Sequence, residues 1–315
     1  MRYIKELKEN ERIIEHYLCK KKESRESRAG KNFFSLKLQD KTGTIDAKIW
    51  EMTNDIQQFE EGDIIKIDGT VGSYMNELQL KITKLRKSRD GEYDVAEFVP
   101  TTEKDIGEMF EKIISLIKSV KNPHIKTLLE NFFIKDESRS SLFKSHSAAM
   151  HMHHSYMGGL LEHTLSVAET CMFFGTRYKY IDMDILLAGA LLHDIGKIHE
   201  LSPLPQNEYT DDGQMLGHII IGLEMVAVEI AKIKGFPHEI ASLIKHCLIA
   251  HHGEMEFGSP KVPATPEAMI LHFADNIDAK LTTFSEIYEK DTSPGQWTTY
   301  QKSLARYIRK PSNLK

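Results

Sequence analysis

The histidines and aspartates of the C-terminal two thirds of the chain could together hold divalent metal ions. All histidines except His16 and His124 fall between His146 and His272. Imidazole and carboxylate groups are the ligands that borderline and hard divalent cations prefer. Within this stretch the candidate ligands are, in chain order, His163, His193, Asp194, His218, His251, His252 and Asp275. Groups so far apart can meet only if the chain between them bundles, and the pattern predicts a metal-dependent hydrolase.

The elements that must bring these ligands together are predicted to be helices. From residue 105 onward, apolar residues recur at three- and four-residue spacing, with Gly, Pro and Asp between the segments. The pair His193-Asp194 ends one apolar segment. Neighbouring residues of a helix are about 100° apart around its axis, so both can face one metal site only where the helix ends. Gly196 is predicted to end it with a left-handed conformation.

The N-terminal part is predicted to be a small β-barrel. Residues 33–38 and 44–50 alternate apolar and polar side chains around the turn DKTG, and residues 63–85 continue the alternation with Leu78 on the inside. Gly69 and Gly72 suit the bends of a five-stranded closed barrel. A short helix is expected over residues 52–59, and the first helix after the barrel is expected to start near Thr102.

These strands, with the DKTG turn and the GDIIKIDG stretch, resemble an OB-fold of the nucleic-acid-binding type. The fold class is therefore an N-terminal OB-fold barrel (residues 12–90), a linker (91–104) and an all-α domain (105–315). The outward side chains Phe33, Lys37, Lys48, Trp50 and Lys81 combine aromatic rings with cations, as single-strand-binding surfaces do. An ordinary solvated sheet face explains them equally well.

The elements GLLEHT, HDIGK, GH, AHHG and HFADNIDA are similar, in order and spacing, to the HD-domain metal phosphohydrolases, with the core at residues 163–279. The resemblance implies that His163, His193, Asp194 and Asp275 hold one metal. It also implies that Asp194 bridges to a second metal, held by His218 and one or both of His251 and His252. Two divalent ions about 3.5–4 Å apart bind phosphate oxygens and acidify a water between them. The imidazole-rich set favours Mn²⁺, with Co²⁺ or Fe²⁺ as alternatives.

Two further residues are predicted to act in catalysis. Lys197 follows Asp194 by one short turn and is expected to meet a non-bridging phosphate oxygen as a point charge. His154 precedes GLLEHT in a histidine-rich run that resembles the substrate-side loop of one HD subgroup, and a place near the phosphate is predicted for it. His199, His238, His246 and His272 are read as structural, and His272 alternatively as a hydrogen-bonding partner of Asp275.

Composition narrows the class of protein and its compartment. The net charge of −5 and the pI near 6.3 leave nucleic-acid binding to local patches. The 3 cysteines form no ligand pattern and are odd in number, which argues against a disulfide framework and for the cytoplasm. No signal peptide and no apolar segment of membrane-spanning length is expected.

An OB-fold followed by an HD domain resembles the YhaM family of bacterial 3′→5′ exoribonucleases. This resemblance implies metal-dependent hydrolysis of single-stranded RNA to nucleoside 5′-monophosphates in RNA turnover. Single-stranded DNA is a further expected partner, no membrane is expected, and a homo-oligomer is left open. The alternatives are an HD-type nucleotide or cyclic-dinucleotide phosphohydrolase, and a single-strand or replication-origin DNA-binding protein with an inactive HD domain.

Overall fold

The computed structural model describes residues 1–27, 30–75, 77–150 and 154–312. The chain divides into two compact units, which are described separately. One comprises Met1–Thr101 with Pro203–Asn207, and the other comprises Thr102–Ser202 with Glu208–Lys315.

The first unit is a closed five-stranded barrel. Its strands follow the order β1-β2-β3-β5-β4, with β3 and β5 parallel and the other neighbours antiparallel. Closure pairs both edges of the sheet, which an open sheet would leave exposed. The strands are β1 (Arg12–Glu26), β2 (Asn32–Asp40), β3 (Gly43–Ile49), β4 (Ile64–Tyr74) and β5 (Glu77–Lys87).

Most of the apolar residues of the alternating pattern point into the barrel and fill its interior. Leu36, Leu38 and Ile67 are buried, as expected, but Leu78 is 37% exposed near the start of β5. At Gly69 the register of β4 against β5 shifts, and a Cβ there would lie 2.7 Å from the carbonyl oxygen of Lys81. A glycine is needed at this bulge because the two backbones approach so closely.

Two local expectations are wrong. Residues 52–59 form no helix, because Ile56 pairs with Leu85 of β5 as an isolated bridge and thereby extends the sheet. The first helix does not start at Thr102. Asp105 caps it by accepting a hydrogen bond from the amide of Glu108 at 2.8 Å, and the hydroxyl of Thr102 donates instead to Glu162.

The second unit is helical and packs around one central helix. The helix α5 is apolar on all sides, and every residue from Ile185 to Leu192 is buried. Helices α4, α8 and α9 contact it. The helices are α1 (Ile106–Ser119), α2 (Pro123–Glu130), α3 (Glu137–Ser145), α4 (Gly159–Gly175), α5 (Met183–Leu192), α6 (Lys197–Glu200), α7 (Asp211–Lys232), α8 (His238–Ala250) and α9 (Pro266–Lys290).

Helix α7 differs from the expectation that no segment is long and apolar enough to span a membrane. By length and by a mean hydropathy of 1.5 it meets that test, and 33% of its apolar window is buried in the structure. Gly217 interrupts it with φ 72° and ψ 160°, and the helix resumes at His218. A single helix of this kind is weak evidence for a membrane span.

Candidate metal centre

The predicted ligands converge where several helices of the second unit end or pass. His193 and Asp194 directly follow α5, and His251 directly follows α8. The Nε2 atom of His163, from α4, lies 3.2 Å from His193 Nε2 and 3.2 Å from an Asp275 oxygen on α9. The adjacent residues His193 and Asp194 can share a site because α5 ends at Leu192, directly before them, as the sequence predicted.

Asp194 lies between two groups of side chains and faces each group with a different oxygen. Its Oδ2 lies 3.3 Å from His163 Nε2 and 3.4 Å from His193 Nε2. Its Oδ1 lies 3.4 Å from His218 Nε2 and 3.8 Å from His251 Nε2. One carboxylate therefore reaches both groups.

Each group has the composition and spacing of a metal site. Within each, the ligand atoms lie within 4.8 Å of one another; the groups are His163, His193 and Asp275, and His218, His251 and His252. Asp194 Oδ1, His218 Nε2 and His251 Nε2 are buried and have no hydrogen-bond partner among the described residues. Buried polar atoms without a partner are costly, and a cation would satisfy all three lone pairs at once. The donor set therefore fits divalent metal ions.

Each of four histidine rings is oriented by a hydrogen bond from its Nδ1 atom, the ring nitrogen that points away from the centre. His163 Nδ1 donates to Asp278 at 2.7 Å, and His218 Nδ1 donates to Glu200 at 3.0 Å. Backbone carbonyls accept from the other two, Ala190 from His193 at 2.8 Å and Leu248 from His251 at 2.6 Å. Because the acceptors carry no proton, each Nδ1 must be the donor, and each Nε2 is left to face the centre.

Asp278 and Glu200 were not predicted from the sequence. Asp278 follows the ligand Asp275 by three residues on α9, a spacing that places both on neighbouring faces of one helix and could have marked it. Glu200 carries no such signal. It also accepts the backbone N–H of His218 at 2.9 Å, where α7 resumes after Gly217, and so fixes both the backbone and the ring of this ligand.

The charges of the centre favour cations. Burial alone would lower the pKa of His163, but hydrogen bonds to Asp194, Asp275 and Asp278 raise it well above its ordinary value. Burial would raise the pKa of Asp194, yet Lys197 and the histidines hold it well below the usual range. Burial and the neighbouring His193 and His252 lower the pKa of His251, which keeps this ring in the neutral form that binds metals.

Gly196 does not have the left-handed conformation that the sequence suggested. Its φ of −64° and ψ of −21° are right-handed. A glycine is required for another reason, since a Cβ at this position would lie 2.0 Å from the carbonyl oxygen of His218 and 2.6 Å from the amide of Gly222. The close approach brings the α6 segment against α7, and with it His218 toward Asp194.

The comparisons with known proteins agree with this geometry. The HD domain family matches residues 160–280, and the family described as "OB-fold nucleic acid binding domain" matches residues 19–87. A protein named 3′-5′ exoribonuclease YhaM, from Geobacillus sp. (strain WCH70), is 36% identical over 271 residues, which cover 85% of this chain and 82% of the relative. The chain belongs to the YhaM family.

Among solved structures, the second OB-fold domain of replication protein A from Methanococcus maripaludis is 22% identical and covers 29% of this chain and 96% of that domain, with a TM-score of 0.23. An OB domain from Thermoplasma acidophilum is 18% identical and covers 29% of this chain and 89% of that domain, with a TM-score of 0.22.

The two residues predicted to act in catalysis, Lys197 and His154, lie near the centre of this YhaM-family chain but have different partners. Lys197 Nζ lies 2.6 Å from Asp194 Oδ2, and although burial would lower its pKa, Asp194 raises it, so the ammonium stays charged. His154 is buried next to the ligand His163, with ring centroids 5.4 Å apart, and both rings contact the same oxygen of Asp278. Its Nε2 donates to Asp278 at 3.1 Å, and its Nδ1 lies 2.9 Å from the hydroxyl of Tyr156.

His272 acts on the backbone of a ligand. Its Nδ1 donates to the carbonyl of His251 at 2.9 Å, so its observed partner is this carbonyl, whereas the sequence had suggested Asp275. The ring packs against Gly253, where φ is +80° and a Cβ would lie 2.2 Å from His272 Cε1. The ring of His272 can therefore occupy this position, bonded to the carbonyl of His251, only if residue 253 lacks a side chain.

A cavity of about 380 Å³ opens beside the centre. It is lined by side chains of the centre, His163, Asp194, Lys197, His252 and Asp275, and by Ala148, His272, Asn276, Ala279 and Lys280. Cavities of this size hold small ligands. The cavity therefore gives a substrate a route to the metal-binding atoms.

On the barrel, four of the predicted nucleic-acid contacts lie on one face of β2, β3 and β5, by strand alternation and register, and the fifth, Trp50, directly follows β3. The rings of Phe33 and Trp50 stack with centroids 4.6 Å apart, and Lys48 Nζ lies 5.5 Å from the Phe33 centroid. Lys48 of β3 lies opposite Lys81 of β5 in the strand register and opposite Ser35 of β2 on its other side. Lys37 lies two residues after Ser35 on the same face of β2 and is exposed. Trp50 is 44% exposed.

Proposed function

We propose that this chain is a metal-dependent 3′→5′ exoribonuclease that hydrolyses single-stranded RNA to nucleoside 5′-monophosphates. The position of Asp194 carries the proposal, because its two oxygens face two separate groups of ligand atoms. Such an arrangement suits two cations that act on one phosphodiester. The printed name of the Geobacillus relative supports the substrate class and the direction of digestion.

The residues that would hold the first ion are His163, His193 and Asp275, and Asp194 would be shared. The second would be held by His218, His251 and His252. Bound divalent ions supply Lewis acidity toward phosphate oxygens and lower the pKa of a water. Mn²⁺ is expected to serve best, and Co²⁺ or Fe²⁺ are expected to substitute, because borderline cations bind imidazole more readily than Mg²⁺ does.

The protein residues around these ions bind and orient the substrate. Lys197 places a permanent positive charge next to Asp194, where it can neutralise a non-bridging oxygen of the scissile phosphate. The contact between His154 and the phosphate stays a prediction. In the structure His154 acts on the centre through Asp278, which accepts hydrogen bonds from both His154 and His163.

The barrel face supplies binding of the RNA strand. Stacking on Phe33 and Trp50 is independent of base identity, and Lys37, Lys48 and Lys81 would pair with phosphates. Single-stranded DNA should bind this face as well, because neither contact reads the 2′-hydroxyl. Cys19, Cys171 and Cys247 are all free and buried, which is compatible with the proposed cytoplasmic location.

The test is incubation of the purified protein with a 5′-labelled oligoribonucleotide in the presence of Mn²⁺. A ladder that shortens from the 3′ end, with nucleoside 5′-monophosphates as products, is the expected result, and EDTA should abolish it. Asp194→Asn keeps the shape of the side chain but removes the shared charge, so it should abolish hydrolysis while RNA binding to the barrel persists.

Parallel incubations separate the alternatives. Hydrolysis of free nucleotides or cyclic dinucleotides without shortening of RNA would replace the proposal by a nucleotide phosphohydrolase. Tight binding of single-stranded nucleic acid with no hydrolysis under any of the three metals would favour a binding protein.

A further inference from the structure

One wall of the cavity beside the metal centre consists of residues that the catalytic chemistry does not use. These are His272, Asn276 and Lys280, spaced by four residues on α9, with Asp275 and Ala279 beside them on the same face. Residues four apart on a helix lie one above the other. A single stripe of α9, about 12 Å long from His272 to Lys280, therefore faces the cavity.

The polar groups of this stripe have capacity to bind a ligand. The side chains of Asn276 and Lys280 make no hydrogen bond or ion pair within residues 1–27, 30–75, 77–150 and 154–312. Lys197, by contrast, has an ion-pair partner within the protein, since its Nζ lies 2.6 Å from Asp194 Oδ2. His272 uses Nδ1–H on the carbonyl of His251, so Nε2 is the ring nitrogen left for a ligand.

The burial of the stripe changes along its length. His272 is 9% exposed, Asn276 is partly buried and Lys280 is exposed. The closed end therefore presents an acceptor and an amide, which can both donate and accept, whereas the open end presents a cation. Ala279 lies between Asp275 and Lys280 and leaves space there.

We propose that this stripe is the subsite for the last nucleotide of the RNA and for the phosphodiester that precedes the scissile one. His272 Nε2 and the Asn276 amide bind the hydroxyls of the 3′-terminal ribose at the closed end. Lys280 pairs with the next phosphate toward the 5′ end, where the strand leaves the cavity. The inference rests on the proposed exoribonuclease function and names the groups of that substrate that this chain recognises.

The length of the stripe supports this division. Lys280 is five residues beyond Asp275, an axial rise of about 7.5 Å, which a hydrogen bond cannot span. Lys280 therefore binds a different group from the phosphate at the metal-binding atoms. A terminal ribose offers two neighbouring hydroxyls, and the 2′-hydroxyl is the group that distinguishes RNA from DNA. Asn276 and His272 thus supply a preference for RNA that the barrel face lacks.

The test compares Asn276→Ala and Lys280→Met with the unaltered protein in three measurements. These are the kinetics of hydrolysis of an oligoadenylate and of the matching oligodeoxyadenylate, the hydrolysis of bis(p-nitrophenyl) phosphate, which has one phosphate and no ribose, and the calorimetric affinity for AMP in the presence of Mn²⁺. Lys290→Met, about 15 Å further along α9, is the control because it removes the same charge outside the cavity.

Lys280→Met should raise the KM for the oligoadenylate about tenfold, the size of one lost hydrogen bond to a charged group, and should change AMP affinity far less. Asn276→Ala should weaken AMP binding severalfold and lower the ratio of RNA to DNA hydrolysis. Both variants should affect hydrolysis of bis(p-nitrophenyl) phosphate less than they affect the oligoadenylate, and Lys290→Met should match the unaltered protein throughout.

Equal losses on all three ligands, or no loss, would overturn the subsite. The proposed function fails separately, if the unaltered protein hydrolyses bis(p-nitrophenyl) phosphate but leaves RNA intact.

Discussion

Replacement of Asp278 by asparagine tests whether the centre depends on residues that are not themselves ligands. Oδ2 of Asp278 accepts from His163 Nδ1 at 2.7 Å and from His154 Nε2 at 3.1 Å, and Oδ1 accepts from the hydroxyl of Ser166. Asparagine keeps the shape and one acceptor oxygen. It removes the negative charge that makes the His163 ring more basic at Nε2.

The magnitude follows from the bonds that change. A hydrogen bond to a charged group contributes about 1.5–3 kcal/mol, and loss of such an outer partner typically weakens metal binding about 10–100-fold. We therefore expect Asp278→Asn to weaken Mn²⁺ binding by that factor at the group that contains His163. Binding at the group that contains His218 should change little, because Glu200 orients that ligand.

Titration of the protein with Mn²⁺, followed by electron paramagnetic resonance of the free ion, measures both affinities. Ser166→Ala is the matched control, because it removes one bond to Asp278 without altering the contact with His163. Asp278→Ala, which removes the acceptor as well as the charge, should weaken binding more than Asp278→Asn. Equal weakening of both classes of site, or full affinity in Asp278→Asn, would refute the view that Asp278 acts through His163.

Four further changes have defined outcomes. Glu200→Gln should weaken the other class of Mn²⁺ site, again by about 10–100-fold, in the same titration, because its carboxylate accepts from His218 Nδ1 at 3.0 Å. Gly253→Ala should lower the free energy of unfolding by more than about 1 kcal/mol in urea denaturation, because φ is +80° and the Cβ would meet His272; unchanged stability would contradict this packing. Trp50→Ala should weaken binding of an oligoribonucleotide by about 1–3 kcal/mol in fluorescence anisotropy, whereas replacement of the exposed Tyr180 of the helical unit should not. Mn²⁺ at one hundred times its Kd should stabilise the fold by about 2.7 kcal/mol over the EDTA-treated protein in thermal denaturation, and equal melting temperatures would argue against a metal held by the folded state.

The fold class was predictable because two different periods divide the sequence. Alternation over residues 33–38 and 44–50 and helical spacing after residue 105 are local signals, and the OB-fold and HD domain matches confirm both. The expected helix at residues 52–59 failed because its outcome depends on a partner, Leu85, that is distant in the sequence. Helix propensity over eight residues is a weak signal that such a long-range backbone pairing overrides.

The sequence also indicated which residue types converge, but not how each is oriented. His163, His193, His218 and His251 are alike in the sequence, yet two rings are held by carboxylates and two by the carbonyls of Ala190 and Leu248. The carbonyl partners come from the preceding turn of the same helix. Those rings are oriented by helix geometry alone, whereas Asp278 and Glu200 reach their histidines only after distant segments pack.

Because of this difference, the orientations of the two kinds of ligand depend on different parts of the structure. His193 and His251 keep their orientation as long as α5 and α8 remain helical to their ends, since their acceptors lie three residues earlier. The orientation of His163 and His218 depends on α9 and on the α6 segment remaining in place, because Asp278 and Glu200 belong to those elements. Each proposed metal group therefore contains one histidine held by a carboxylate and one held by a backbone carbonyl. These are His163 and His193 in one group, and His218 and His251 in the other. Loosening of α9 would therefore affect the group of His163, and loosening of the α6 segment would affect the group of His218.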